Sequence, residues 1–163
     1  MRIEVKSDIR RAGKIIGIAV IVLIVILFLL LVSTPIINNT IASNIEKTLV
    51  KTPLPDNTEL CDSLYVAGKI KGNGNGMQFF GAILIKSSLS IDELDNYYAK
   101  YHYDEFSYIV AVQSDAEISK RVGAHKRITF PYLKNVDKYD NYYVVYTWGR
   151  SNYIFSDLDL RGH

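Results

Sequence analysis

Apolar and polar positions along this chain follow three patterns, and the first is a continuous apolar run. Ile15–Val32 holds eighteen residues without a charge, and sixteen of them are Ile, Leu, Val or Phe. Each such residue at a helix centre favours membrane insertion by roughly 0.3–0.6 kcal/mol. Continued through Ile37, the helix would be about 34 Å long, enough to cross a hydrocarbon core of roughly 30 Å. The pattern predicts a transmembrane helix over residues 15–37.

The second pattern follows Pro35 and has a helical period. Ile41, Ile45 and Leu49 recur at intervals of four, which predicts a short amphipathic helix that ends before Pro53. We interpret residues 38–58 as a juxtamembrane stalk or linker. Residues 59–163 then form the folded domain, a length that suits one small domain.

The third pattern is the alternation that is typical of strands. It predicts strands over Leu60–Lys71 and Met77–Lys86, joined by the glycine-rich segment Gly72–Gly76. Phosphate-binding glycine loops open a helix, whereas a strand follows here. We therefore interpret the segment as a hairpin turn with positive φ at Gly74 and Gly76, and keep ligand binding as the alternative.

A helix is predicted over Leu89–Tyr101. Ser90 and Glu93 have the spacing of a capping box at its first turn. Its apolar and aromatic residues form one stripe, which consists of Ile91, Leu94, Tyr97, Tyr98 and Tyr101. The stripe predicts that this helix packs on one face of a sheet.

The remaining chain supplies further strand candidates. They are Phe106–Gln113, Lys126–Leu133, Asn141–Trp148 and Tyr153–Leu160, with one or two helical turns over Asp115–Val122. Pro131 cannot donate to a strand ladder, so its strand is expected at a sheet edge. The order β-β-α-β-β-β with short connections predicts an α+β domain in which an antiparallel sheet packs against one main helix.

The predicted sheet has more apolar surface than one helix covers. All twelve tyrosines follow the apolar run, and Tyr142, Tyr143 and Tyr146 lie in one predicted strand. Either the sheet curls on itself and buries both faces, or a partner, a second copy or the membrane surface covers the second face.

Charge predicts the orientation of the chain. Residues 1–14 carry five Lys and Arg against two acidic residues, which predicts a cytoplasmic basic tail and an extracytoplasmic domain at the cell membrane. The rest of the chain is nearly neutral, so no nucleic-acid partner is expected. A cleaved secretory signal with a cut near Ala42 is the alternative, but the apolar run exceeds the usual 7–15 residues.

The sequence carries few residues of the kinds that catalytic motifs require. Cys61 is the only cysteine and is interpreted as a buried small hydrophobic side chain, with a reactive thiol as the alternative. His102, His125 and His163 have no zinc-ligand spacing. A carboxylate pair, Asp157 and Asp159, lies on one side of a predicted strand and is interpreted as solvent-facing. The sequence predicts no catalytic residue, no metal site and no cofactor.

We therefore expect a membrane-anchored, non-enzymatic interaction module, with the lipid bilayer and either a second copy or another envelope protein as partners. The alternative is a receptor for cell-wall glycan or peptide, with aromatic side chains as stacking surfaces and the glycine loop at the rim. Its candidate residues are Tyr142, Tyr143, Tyr146, Trp148, Gly72, Gly74 and Gly76. A hydrolase with His102 or His125 as base is a third hypothesis.

Part of the sequence also resembles a known group of proteins. The segment from Ala67 to Ala82 with its Gly-Asn repeat, the helix with Tyr97 and Tyr98, and the strand with Trp148 resemble an uncharacterised family of small single-pass membrane proteins of Gram-positive bacteria. The resemblance covers most of the domain. It implies a membrane location and no activity, so no functional residue is assigned from it.

Overall fold

The computed structural model of the protein describes residues 2–114, 117–118, 122–124 and 127–163. Its first element is a helix of fifty residues, α1, over Arg2–Lys51. Pro35 lies inside this helix rather than at its end. Proline has no N–H to donate to the carbonyl of Leu31. The hydroxyl of the preceding residue, Thr34, donates to the carbonyl of Leu30 at 2.7 Å, which adds a side-chain bond to the same turn. The predicted helix end before Pro53 is confirmed.

The main sheet has four antiparallel strands. These are β1 (Thr58–Gly68), β2 (Gln78–Ser87), β5 (Ile109–Val112) and β6 (Tyr142–Gly149), in the spatial order β1-β2-β6-β5. The predicted α+β class and antiparallel sheet are confirmed, as are the strands near residues 60–71, 77–86 and 141–148. A bulge between Leu60 and Asp62 interrupts the edge strand β1 at Cys61, where partial burial raises the pKa of the thiol.

Two helices share one face of this sheet. Helix α2 (Ile91–Tyr98) buries Leu94 and Tyr98, and the predicted capping box of Ser90 and Glu93 is present. Beside it lies the second half of α1. The buried positions of α1 are spaced by three or four residues and comprise Thr34, Asn38, Ala42, Ile45 and Leu49. The segment that was interpreted as a stalk therefore packs against the sheet as part of the fold.

The connection between β5 and β6 covers the other face. Its apolar side chains pack on the even-numbered residues of β2, Phe80, Ala82 and Leu84. They are Ile118, Val122, Ile128, Phe130 and Leu133. The chain thus covers both sheet faces itself, and the expected curling of the sheet is not needed. The cover of the second face was not predicted, because it comes from the β5–β6 connection rather than from a second helix.

Two of the strands predicted between α2 and β6 differ in the structure. The strand predicted over Phe106–Gln113 is divided into β4 (Phe106–Ser107), which pairs with β3 (His102–Tyr103), and β5, because Tyr108 turns into the core under α2. The strand predicted over Lys126–Leu133 is wrong where described: only Thr129 makes a β-bridge, and Pro131–Asn135 is a 3₁₀ helix. The helical turns predicted over Asp115–Val122 lie largely outside the described residues.

The strand predicted over Tyr153–Leu160 is also wrong. This part of the chain forms two 3₁₀ turns, Ser156–Leu158 and Leu160–Gly162. Its polar groups bond to α1 and to the β1–β2 loop rather than to a neighbouring strand. We call residues 150–163 the C-terminal segment.

Candidate functional site

The C-terminal segment meets α1 in a cluster of polar contacts that we call the junction. The hydroxyls of Tyr153 and Thr34 lie 3.4 Å apart. The side-chain amide of Asn38 donates to the carbonyl of Ser156 and to Oδ2 of Asp159, each at 3.0 Å. Asn38 and Thr34 are fully buried, so these bonds replace the hydration that the Asn38 amide nitrogen and the Thr34 hydroxyl lose, whereas Oδ1 of Asn38 has no partner among the described residues. The contacts join residues about 120 positions apart in sequence.

An ion pair completes the junction. The guanidinium of Arg161 donates to Asp159 from Nε at 2.9 Å and from Nη2 at 2.6 Å. It also donates to Oδ1 of Asn39 at 2.8 Å and to the carbonyl of Pro35 at 3.2 Å. These bonds to the carboxylate lower the pKa of Asp159 to about 2, although its burial acts in the opposite direction. Arg161 therefore links the C-terminal segment to α1 at its proline.

Apolar side chains extend outward from the same segment. Ile154 is 85% exposed and Leu160 is 82% exposed, and Phe155 and Leu158 are partly exposed. The ring of Phe155 packs edge-on against Tyr153, with centroids 5.7 Å apart. This places an exposed apolar group directly beside the helix that carries the long apolar run.

Of the four aromatic candidates, three share a sheet face. Tyr142, Tyr146 and Trp148 belong to the core that the β5–β6 connection covers. Tyr142 and Tyr146 are buried, and Trp148 is partly buried with its ring 5.0 Å from that of Phe80. The ammonium of Lys71 lies 5.8 Å from the Trp148 ring centroid. These side chains pack the interior of the domain rather than form an open aromatic surface.

Tyr143, the fourth candidate, points to the opposite face. It is buried under the helices, and its hydroxyl donates to the carbonyl of Leu89 at 2.9 Å. That bond fixes the start of α2 relative to β6. The structure therefore does not bring Tyr143 together with the other three aromatic residues.

The glycine-rich segment is a hairpin loop between β1 and β2, as predicted. Gly72 and Gly76 have positive φ, at 84° and 138°. The expectation of positive φ is confirmed for Gly76 and wrong for Gly74. The side chain of Gln78 accepts from two backbone N–H groups across the loop, each at 2.8 Å, and so closes it. The N–H of Gly76 donates to the carbonyl of Gly162 at 2.8 Å, so the loop also contacts the C-terminal segment.

The two acidic residues of the C-terminal segment have different partners. Oδ1 of Asp157 accepts from the N–H of Met77 at 2.9 Å, whereas Asp159 pairs with Arg161. The predicted solvent-facing strand pair is therefore wrong. Within the described ranges, no group of three or more His, Cys, Asp or Glu side chains is placed to hold a metal ion.

A shallow polar depression of about 520 Å³ lies at the opposite end of the sheet from the junction. It is lined by Asn57, Thr58, Glu59, Lys86, Ser87, Ser88 and Asn141. Asn57 and Asn141 both have positive φ, at 59° and 65°. His102 is exposed in β3, His163 contacts the carbonyl of Asp157, and His125 lies outside the described residues.

The residues of the junction were not found from the sequence. Thr34 and Asn38 were assigned to the end of the membrane span and to the stalk. Thr34, Asn38 and Ala42 follow one another at intervals of four residues, and this helical period continues through Ile45 and Leu49. The helical period from Thr34 to Leu49 was the available signal, and it was overlooked because Pro35 lies within it.

Comparison of the chain with protein-family models, with curated proteins and with solved structures finds no match.

Proposed function

We propose that this chain is a single-pass membrane protein with a cytoplasmic N-terminus, whose folded extracytoplasmic domain is a non-enzymatic interaction module. The observation that carries the proposal is that α1 has two environments along one uninterrupted helix. Residues 11–29 are all exposed, although most are strongly apolar, whereas a stripe from Thr34 onward is buried in the domain. An apolar surface of that length exceeds what soluble proteins expose, and a bilayer would bury it.

The packing of α1 supports a retained anchor over a cleaved signal. Ala42, at the candidate cleavage position, is fully buried between the helix and the sheet. A cut there would divide the buried stripe and would separate Asn38 from Ser156 and Asp159. The domain would lose part of its own core, so the anchor and the domain fold as one unit.

The orientation follows from the basic residues before the apolar run. Arg11 and Lys14 are exposed at its start, where they can contact anionic headgroups on the cytoplasmic side. The domain then lies on the outer side. Because the chain covers both faces of the sheet, we expect the contact surface at the sheet edges. The edge strands are β1 and β5.

The outer edge of β1 is the contact surface that we assign to a partner. β1 has eleven residues, and strand edges of this kind accept an added strand or a side-by-side contact. A shallow groove of about 260 Å³ lies next to it, lined by Ile36, Asn39, Thr40, Ser43, Lys47 and Tyr65. Tyr65 is partly exposed there and offers an amphipathic contact.

Topology is tested with single cysteines in a Cys61→Ser background. Gly13→Cys lies before the apolar run, where an added Cβ meets open space, and Lys138→Cys lies on the exposed surface of the domain. A membrane-impermeant maleimide applied to intact cells should label the variant at position 138, and should label the one at position 13 only after permeabilisation. The reverse pattern contradicts the orientation, and release of the chain by an alkaline wash contradicts the span.

Interaction is tested by a photo-crosslinking residue in place of Tyr65, with the same residue in place of Lys138 as the control. An adduct from position 65 but not from 138 supports a partner at the β1 edge. An adduct near twice the chain mass of 18.5 kDa identifies a second copy, and another mass identifies another protein. Equal yields from both positions contradict the assignment of β1.

A further inference from the structure

We propose that the C-terminal segment forms a second contact with the bilayer, in which Ile154, Phe155, Leu158 and Leu160 enter the outer membrane interface beside α1. This inference rests on the proposed membrane span. It concerns a different part of the chain, more than one hundred residues away in sequence.

The C-terminal segment contacts α1 at a defined position along the helix axis, close to the end of the apolar run. The predicted span extended to Ile37, but Thr34 is buried by the domain, so the span is taken to end at Val32. Eighteen residues of helix rise about 27 Å, so the apolar run that ends there matches a hydrocarbon core of roughly 30 Å. Thr34 lies two residues, or about 3 Å, beyond that end. Because the Tyr153 hydroxyl lies 3.4 Å from Oγ1 of Thr34, the segment approaches α1 at the level where the helix leaves the hydrocarbon.

The chemistry of the exposed side chains fits that level. Tyrosine is enriched at the boundary between hydrocarbon and headgroups, because its ring is apolar and its hydroxyl polar. Ile154, next to Tyr153, is 85% exposed and would otherwise face water. Interfacial segments bury such side chains a few ångströms into the acyl region while polar groups remain at the headgroups.

The charged residues in and around the segment are compatible with contact to a lipid surface. The backbone N–H of Lys69 donates to the carbonyl of Arg161 at 2.7 Å, which brings a lysine next to the segment. A lysine side chain next to the segment can contact lipid phosphates or anionic headgroups. The acidic groups of the segment are engaged within the protein, since Asp159 pairs with Arg161 and Asp157 accepts from Met77.

The segment is also held firmly in place. Hydrogen bonds to Asn38, Pro35 and Gly76 tie it to α1 on one side and to the β1–β2 loop on the other. A segment braced in this way presents its apolar side chains at a fixed height, so lipid contact requires no further ordering of the backbone.

Depth-dependent fluorescence quenching tests the proposal on the full chain. Trp148→Phe removes the only tryptophan, and new tryptophans are introduced one at a time as Ile154→Trp and Leu160→Trp. Two controls use the same background: Leu23→Trp at the centre of the apolar run, and Ser88→Trp in the depression at the far end of the sheet. Each variant is reconstituted in nanodiscs that hold one copy and a mixture of zwitterionic and anionic lipids, brominated either near the headgroup or near the bilayer centre.

The expected result is a blue-shifted emission at position 154 or 160, quenched more by bromine near the headgroups than by bromine at the centre. Leu23→Trp should show the opposite preference, and Ser88→Trp should resist both. If Leu23→Trp is quenched but positions 154 and 160 both behave as position 88, the second contact is refuted and the span stands. If Leu23→Trp is unquenched, the proposed span itself fails.

A second copy is the competing occupant of this surface, and the single-copy nanodiscs distinguish it. Quenching and a blue shift that persist with one copy per disc support a lipid contact. A blue shift that appears only when several copies share a vesicle assigns the surface to protein association and overturns the proposal.

Discussion

Replacing Gly81 by alanine should force α1 away from the sheet. An added Cβ at this position of β2 would lie 2.8 Å from the backbone nitrogen of Glu46 and 2.8 Å from Cγ2 of Ile45. Carbon atoms in contact are normally about 3.5–4.0 Å apart. A side chain could rotate away, but the backbone of α1 at Glu46 can only move with the whole helix. The glycine is therefore what allows the close approach of helix and sheet.

The magnitude follows from two opposing effects. Overpacking a well-packed core typically costs 1–3 kcal/mol. Alanine also restricts the unfolded chain more than glycine does, which returns about 0.4–1 kcal/mol. We expect a net loss of about 1–2 kcal/mol, and a chain of this size loses roughly 2–4 °C of melting temperature for each kcal/mol. Gly81→Ala should thus unfold several degrees below the parent protein.

Two other glycines provide matched comparisons. At Gly149 the added Cβ would meet mainly the end of the Ile45 side chain, which can change rotamer, so Gly149→Ala should cost less. At Gly74 it would meet nothing within 4 Å and φ is not positive, so Gly74→Ala should melt at the parent temperature or slightly above it. Trp148, the only tryptophan, reports unfolding of the full chain in nanodiscs by its fluorescence. Equal melting temperatures for Gly81→Ala and Gly74→Ala would refute the close-packing argument.

Two further predictions concern the junction and the hairpin loop. The pKa of Asp159 is lowered to about 2, so its ion pair with Arg161 stabilises the fold above the ordinary carboxyl pKa and is lost as pH falls from about 4 to about 2. Asp159→Asn should lower the free energy of unfolding by about 2 kcal/mol at neutral pH, measured by denaturant titration. The variant should also lose the pH dependence of stability between about pH 4 and about pH 2, and an unchanged dependence there would contradict this. Gly76→Ala should cost about 1–2 kcal/mol through its positive φ while Gly74→Ala costs nothing, and equal melting curves for the two variants would show that the loop relaxes.

Local signals predicted the elements that depend on local chemistry. The helix after Ser90 was found because its capping box and aromatic stripe lie within a few residues of each other. β2 and β6 were found because strands buried on both faces are apolar almost throughout. The hairpin loop was found because glycine and asparagine tolerate positive φ, and the structure shows it at Gly72 and Gly76 rather than at Gly74 and Gly76.

The elements that were missed depend on distant partners. Tyr153–Leu160 has a strand-like composition, but its hydrogen bonds go to Asn38 and to the hairpin loop, which no local pattern reveals. The transmembrane helix and the stalk helix were predicted as separate elements, divided after Ile37. The structure joins them in one helix, and Arg161 donates to the carbonyl of Pro35 close to that point. Tertiary contacts therefore decided both cases.

Because α1 is one unbroken helix, it fixes the rotation of the domain about the helix axis as well as its position along that axis. Each residue of an α-helix advances the chain by 1.5 Å and turns it by about 100°. The exposed apolar half and the packed half belong to one helix. Each side of the apolar half therefore has a fixed rotational angle about the helix axis relative to the sheet. One residue inserted near Leu29 would leave both halves intact and yet turn the domain by more than a quarter of a revolution. A molecule that binds one side of the apolar half therefore determines which side of the domain lies next to it.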